Sequence, residues 1–160
     1  MRDFFKRYIP EFVYGAVDGT VTTFAVVAAS AGAGISSSVI LILGIANLIA
    51  DGFSMGSSAY LAASAEHEES VRDSQKRSSP KIIGAVTFLA FVVVGSVPVL
   101  PYLIDVIANL KAPNAVLFYV SSALTAATFL AIGFIKGKVS KQSPWQSAGI
   151  TLLLGAIAAG

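Results

Sequence analysis

Two acidic residues lie inside stretches of the chain that are otherwise long and apolar. Asp18 lies seven residues after Glu11, and Asp51 lies inside the second apolar run, well before Glu66. A carboxylate at membrane depth costs about 3 kcal/mol, so an acid kept there indicates a functional site by default. The alternative for one such acid is a protonated Asp hydrogen-bonded between helices. Two acids on neighbouring segments make that alternative less favourable.

A polar stripe surrounds the second acid. Spacings of i, i+4, i+7, i+8 and i+11 place five residues on one helical face, namely Asn47, Asp51, Ser54, Met55 and Ser58. A helix facing lipid would be apolar at these positions, so the stripe faces protein or a water-filled path. Carboxylate and amide oxygens suit hard divalent cations, whereas a thioether adds a soft ligand. Together with Asp18, the stripe predicts a site for a borderline metal such as Fe²⁺, with Mn²⁺, Co²⁺ or Zn²⁺ as alternatives.

Three acids and the single histidine follow the second apolar run, in the order Glu66, His67, Glu68 and Glu69. Acids at a helix C-terminus oppose the helix macrodipole. Either the helix continues past them, or they serve a purpose such as cation capture. We expect Glu66, His67 and Glu69 to contribute to metal capture, and a solvated helix face is the alternative.

The composition identifies the elements that must position these residues. Of 160 residues, 55% are hydrophobic and 12% are charged, whereas a soluble domain carries about a quarter charged residues. The lack of cysteine excludes disulfides and thiolate metal sites. Since a span needs about 20 apolar residues, the sequence predicts one all-α integral membrane domain with five transmembrane helices. The expected spans are about 11–33, 38–65, 82–104, 113–135 and 145–160, with a cytoplasmic link at 66–81.

The distribution of basic residues predicts the orientation. With five spans, Lys111 lies on one side and all other Lys and Arg residues lie on the opposite side. Basic residues concentrate in cytoplasmic loops, so we expect a cytoplasmic N-terminus. The net charge of +2 then reflects topology, and no nucleic-acid partner is predicted. The last span is short, which leaves open whether the natural chain extends further.

Small-residue motifs predict close helix contacts. Three GxxxG pairs allow helix backbones to approach and often support dimers; they are Gly15 and Gly19, Gly52 and Gly56, and Gly133 and Gly137. Because five helices are few for enclosing a pathway alone, we expect a homodimer packed through helix 1.

Three segments resemble the vacuolar iron transporter family. They are DGTVTTFAVVAA (Asp18–Ala29), GIANLIADGFSMGSSAYLAASAEHE (Gly44–Glu68) and GSVPVLPYL (Gly95–Leu103). The resemblance implies a five-helix homodimer that moves Fe²⁺, and often Mn²⁺, out of the cytosol in exchange for protons. It places the family's pathway Asp at Asp18 and its Met at Met55. It also implies a transporter with no tightly bound cofactor, in the plasma membrane of a prokaryote or the vacuolar membrane of a eukaryote.

The sequence departs from the family pattern at two places. Many members carry a Glu where Asn47 stands, and small residues are usual at the position of Asp51. One acid has therefore moved about one helical turn along the same face, which bears on metal choice and proton coupling. The acidic cytoplasmic domain of longer members is absent, and residues 66–69 are interpreted as its remnant.

Two other functions fit the same residues. A proton-coupled exporter of small organic cations would use Asp18 and Asp51 as counter-ions and would not need the sulfur of Met55. A non-transporting membrane interaction subunit would tolerate loss of both acids. An enzyme is not predicted, because there is no Cys and no intramembrane His.

Overall fold

A computed structural model describes residues 2–70 and 78–159, with the side chains of residues 7–66 and 78–157. Over these ranges every regular element is helical, and there is no β-strand. The elements are α1 (Arg2–Gly32), α2 (Ser37–Ser70), α3 (Pro80–Gly95), a 3₁₀ turn (Val97–Val99), α4 (Leu100–Ala108), α5 (Asn114–Val139) and α6 (Pro144–Ala159).

Four helical stretches are long and apolar enough to cross a bilayer, namely Arg7–Gly32, Ser37–Glu66, Pro80–Ala108 and Asn114–Val139. The predicted fifth span corresponds to α6, whose 16 residues cover only about 24 Å at helical rise. The protein is therefore an all-α, multi-pass membrane protein.

The first two helices form an antiparallel hairpin. Between them, Gly34 adopts a positive φ of 70°, which a residue without a Cβ adopts without strain. The Ile35 N–H donates to the Ser30 carbonyl at 3.1 Å and closes the turn. α1 begins at Arg2, before the expected start at residue 11, and Pro10 lies inside it.

Glycines let α3 lie directly against both helices of the hairpin. A Cβ on Gly19 would lie 2.5 Å from the Phe91 carbonyl oxygen, and a Cβ on Gly56 would lie 3.0 Å from the Gly84 carbonyl oxygen. Gly15 also faces α3, through Thr87. The Gly15–Gly19 pair is thus used inside the protomer. A second copy would have to contact a different face of helix 1 from the one that this motif suggested.

The third span is broken near its far end. α3 stops at Gly95, and the 3₁₀ turn containing Pro98 leads into α4. The Ser121 hydroxyl donates to the Pro98 carbonyl at 2.7 Å, so α5 provides a partner for backbone at this break. A core cluster closes the same end of the bundle, made of Val27, Ile40, Val99, Tyr102 and Leu117.

The contacts also fix which ends of the helices lie together. α3 runs parallel to α1, because Thr87 lies at Gly15 and Phe91 at Gly19. α5 runs antiparallel to α1, because Phe24 stacks on Phe118 while the Ile132 cluster includes Ala16. One end, here called the basic end, therefore gathers the start of α1, the end of α2, the start of α3 and the α5–α6 turn. Its described basic residues are Arg7, Lys81, Lys136, Lys138 and Lys141, whereas Lys111 lies at the opposite, far end.

Candidate metal site

A hydrogen-bonded contact sets the register between α1 and α2. The Asn47 side-chain amide lies 3.3 Å from the hydroxyl of Thr22 and 3.3 Å from that of Thr23, and donates to both. Thr23 is fully buried, while Thr22 and Asn47 are half-buried. The contact joins the two helices near the middle of the hairpin and fixes how far one slides past the other.

This register brings the two predicted acids to one level. Asp18 lies one turn before Thr22, and Asp51 lies one turn after Asn47. Since the helices are antiparallel, both steps lead toward the basic end and cover the same distance, about 6 Å. The Asn47 contact therefore places the two carboxylates on neighbouring helices at one level. Two like charges in a low-dielectric setting repel, and a shared cation relieves that repulsion.

The pair lies on the side of the protomer, away from the bundle core. Asp18 and Asp51 are both half-buried. Asp18 lines an open groove together with Tyr14, Val17 and Leu154, so it faces the α6 side as well as α2. Tyr14, one turn before Asp18 and in the same groove, is 65% exposed. A cation bound at the carboxylates would therefore sit against one protomer and have an uncovered side.

Met55 lies one turn nearer the basic end than Asp51 and is half-buried. The antiparallel register places it beside the level of Tyr14, one turn from the level of Asp18. The structure therefore orders the predicted ligands along the hairpin: Met55 comes first from the basic end, and the two acids follow. Within the described part of the chain, no three His, Asp or Glu side chains are close enough to hold a metal ion together. Among the described residues, one protomer thus offers the two acids at this level and no third acid or histidine beside them.

The remaining predicted ligands have different surroundings. Asn47 is engaged with the threonine hydroxyls through its nitrogen. Glu66 is exposed on α2. The backbone of α2 is helical through Ser70, so the helix continues past the acidic run. The side chains of His67 and Glu69 lie outside the described residues.

The sequence reasoning missed Glu11. It lies two turns before Asp18 on the same face of α1, an i, i+7 spacing. One of its carboxylate oxygens is buried and has no hydrogen-bond partner among the described residues. Glu11 is thus a third acid of the α1–α2 hairpin, and it lies between Asp18 and the basic end. The i, i+7 spacing is visible in the sequence, where Glu11 is the first residue of the first predicted span.

Comparison with known proteins gives an independent line of evidence. The sequence model described as the VIT family matches residues 9–79 and 67–160, which together cover nearly the whole chain. The vacuolar iron transporter of Toxoplasma gondii is 46% identical over 61 residues, which are 38% of this chain and 20% of that protein. Vacuolar iron transporter 1 of Eucalyptus grandis is 28% identical over 210 residues, covering 94% of this chain and 82% of that protein.

The lengths of these matches also show where this chain differs from its relatives. The chain spans about a fifth of the Toxoplasma protein, and 26% of the vacuolar iron transporter of Plasmodium berghei. The Eucalyptus alignment is 210 residues long, longer than the 160 residues of this chain, so the relative has residues that this chain lacks. The two segments matched by the family model meet at 67–79. This is the predicted cytoplasmic link.

Proposed function

The chain belongs to the VIT family, and we propose that it exports a divalent transition metal, Fe²⁺ first and Mn²⁺ second, from the cytosol in exchange for protons. The observation that carries this proposal is the meeting of Asp18 and Asp51 at one level of the hairpin, set by the Asn47 contact. Two facing carboxylates attract a divalent cation strongly and a monovalent cation less. Met55 supplies the softer ligand that separates Fe²⁺ from Mg²⁺ or Ca²⁺.

In this proposal the functional unit is a homodimer. The surface beside Asp18 is exposed and largely apolar: Tyr14 is 65% exposed and Leu154 59%, and both line the same groove as Asp18. A second copy on this face would place two Asp18–Asp51 pairs around one axis and complete a site that is open in the protomer. The contact surface is the outer face of α1 and α2, and the Gly15–Gly19 pair stays within the protomer.

The path of the metal follows the order of side chains along the hairpin. The basic end faces the cytosol, because basic residues mark the cytoplasmic side, and α6 serves as the fifth span. The ion passes the end of α2 near Glu66, with His67 and Glu69 as further capture residues. It then passes Glu11 and Met55 and exchanges water for the carboxylates of Asp18 and Asp51. Protonation of these carboxylates from the far side weakens the ligands and releases the ion.

The test is uptake of Fe²⁺, Mn²⁺, Zn²⁺ and Mg²⁺ into vesicles containing the purified protein, each with and without a pH gradient. Proton exchange predicts Fe²⁺ and Mn²⁺ fluxes that rise with the gradient, a weaker Zn²⁺ flux and no Mg²⁺ flux. Asp18→Ala should abolish the metal flux. A flux that is unchanged in Asp18→Ala, or a protein that moves only organic cations, would contradict the proposal.

A further inference from the structure

A polar groove lies at the basic end, away from the metal pathway. It is enclosed by the end of α5, the turn after it and the first two turns of α6, and has a volume of about 390 Å³. Its lining residues are Lys136, Gln142, Ser143, Gln146, Ser147 and Ile150. The lining holds one cation, several neutral hydrogen-bonding groups and no acid.

Close helix approach builds this groove. A Cβ on Gly137 would lie 2.7 Å from Pro144 Cα and 3.0 Å from Ser147 Cβ, so only glycine lets α6 start so near α5. The turn between them is tight, with Lys141 at a positive φ of 55°. The Gln142 N–H donates to the Gly137 carbonyl at 3.0 Å and holds the turn against α5. Lys136, next to Gly137, is thereby brought beside the N-terminus of α6.

The start of α6 supplies donors to the groove. α6 has 16 residues, and the first N–H groups of a helix have no partner within it. The Ser147 N–H donates to the Ser143 carbonyl at 3.0 Å, so the N–H groups that precede it form the open end of the helix. The partial positive charge of this end favours an anion.

The nearly buried side chain of Ser147 gives a second and independent indication of a ligand. Ser147 is only 6% exposed, yet it lines the groove. Its hydroxyl has no hydrogen-bond partner among the described residues. One turn further on, the equally buried Thr151 hydroxyl donates to the Ser147 carbonyl at 2.9 Å. The Ser147 hydroxyl opens to the groove, so a ligand or water can satisfy it there.

The depth of the groove indicates the source of the anion. Trp145, at the start of α6, is 78% exposed and meets Phe134 edge to face with ring centroids 5.5 Å apart. Exposed Trp residues mark the headgroup level of a membrane protein. The groove is therefore level with the phosphates of the leaflet at the basic end. We propose that it binds the phosphate group of an anionic phospholipid through Lys136, the Ser147 hydroxyl and the open N-terminus of α6.

The experiment compares phospholipids by their effect on thermal unfolding of the detergent-purified full chain. Phosphatidylglycerol, phosphatidylcholine and inorganic phosphate are titrated separately against the wild-type protein and three variants. Lys136→Gln removes the cation, and Ser147→Ala removes the hydroxyl without adding volume. Lys138→Gln is the matched control, because Lys138 is exposed on the same last turn of α5 and does not line the groove.

Phosphatidylglycerol is expected to raise the unfolding temperature of the wild type at lower concentration than phosphatidylcholine does. Loss of a lysine contact of about 1 kcal/mol should raise the half-maximal concentration about fivefold in Lys136→Gln, with a smaller rise in Ser147→Ala and none in Lys138→Gln. If inorganic phosphate raises the unfolding temperature as much as phosphatidylglycerol does, the groove is still a phosphate site, but its ligand is a free anion. Equal losses in Lys136→Gln and Lys138→Gln, or no difference between the two lipids, would overturn the proposal.

Discussion

Three aspartates lie inside the membrane-crossing stretches, namely Asp18, Asp51 and Asp105, and they have contrasting surroundings. Asp105 is 7% exposed, and its carboxylate accepts the Ala112 N–H at 2.9 Å. This bond holds a loop in which Asn109 and Lys111 both have positive φ. Asp18 and Asp51 are less buried, and the register of the hairpin places them at one level.

The contrast shows that burial alone does not identify a functional acid. The more deeply buried carboxylate, at Asp105, is paired with a backbone donor at the far end of the bundle and stabilises a turn. The two half-buried carboxylates of the hairpin lie at one level, where a cation or a proton between two like charges is favourable. An acid whose neighbours fail to satisfy it is therefore the better candidate for transport.

The largest expected effect is a difference in metal uptake between a variant of Asp18 and a variant of Asp105. Asp18→Asn keeps the shape and removes the charge, so metal uptake should fall by more than the roughly 10- to 100-fold seen when a group that only supports a ligand is lost. Asp105→Asn keeps an oxygen that can accept the Ala112 N–H and should leave uptake per folded protein near the wild-type value. Vesicle uptake of Fe²⁺ measures both. Equal losses in the two variants would remove the distinction between the acids.

The second prediction concerns the free energy of unfolding, for which we expect the larger loss in the variant of Asp105. Asp105→Ala leaves the Ala112 N–H without its acceptor and should lower the free energy of unfolding by about 1–3 kcal/mol. Asp18→Ala removes one of two repelling charges and should leave stability unchanged or raised. Thermal unfolding in detergent compares them, with Asp105→Asn as the control that restores the acceptor. A destabilised Asp18→Ala and an unaffected Asp105→Ala would show that the two roles are exchanged.

Much of the fold was readable from the sequence. The uncharged stretches and the three quoted motifs predicted an all-helical membrane protein of the vacuolar iron transporter family, and both conclusions are confirmed. The functions of the small residues were harder to predict. Gly15 and Gly19 look like a dimerisation motif, but only the folded chain shows that Thr87 and Phe91 occupy their face.

The candidate site was predictable in its residue types and less so in its geometry. Helical periodicity placed Asp51 and Met55 on one face, but it does not give the register between two helices. That register depends on the contact of Asn47 with Thr22 and Thr23, which are 25 and 24 positions away in sequence. It also places Met55 one turn nearer the basic end than the two acids.

The third prediction concerns this contact. Asn47→Ala removes two hydrogen bonds, worth about 0.6 kcal/mol each inside a membrane protein, and loosens the register that keeps Asp18 facing Asp51. Metal uptake should fall severalfold, less than in Asp18→Asn. Thr22→Val combined with Thr23→Val removes the acceptors and should have the same effect, with no further loss when Asn47→Ala is added. If Asn47→Ala matched Asp18→Asn while the threonine variants were neutral, Asn47 would be a metal ligand.

The smallest expected effect tests the order of ligands along the hairpin. Because Met55 lies one turn from the paired acids, its sulfur contacts the ion only for part of the path and should tune the choice between metals more than the rate. Met55→Leu keeps the volume and removes the soft ligand, so Fe²⁺ uptake should fall by about threefold relative to Mn²⁺ uptake, a difference below about 1 kcal/mol. Ser58→Ala changes the same α2 stripe without removing sulfur and should leave the ratio unchanged. Competition between the two metals in one vesicle preparation measures it. A complete loss of both fluxes in Met55→Leu would instead place the sulfur in the same binding step as the carboxylates.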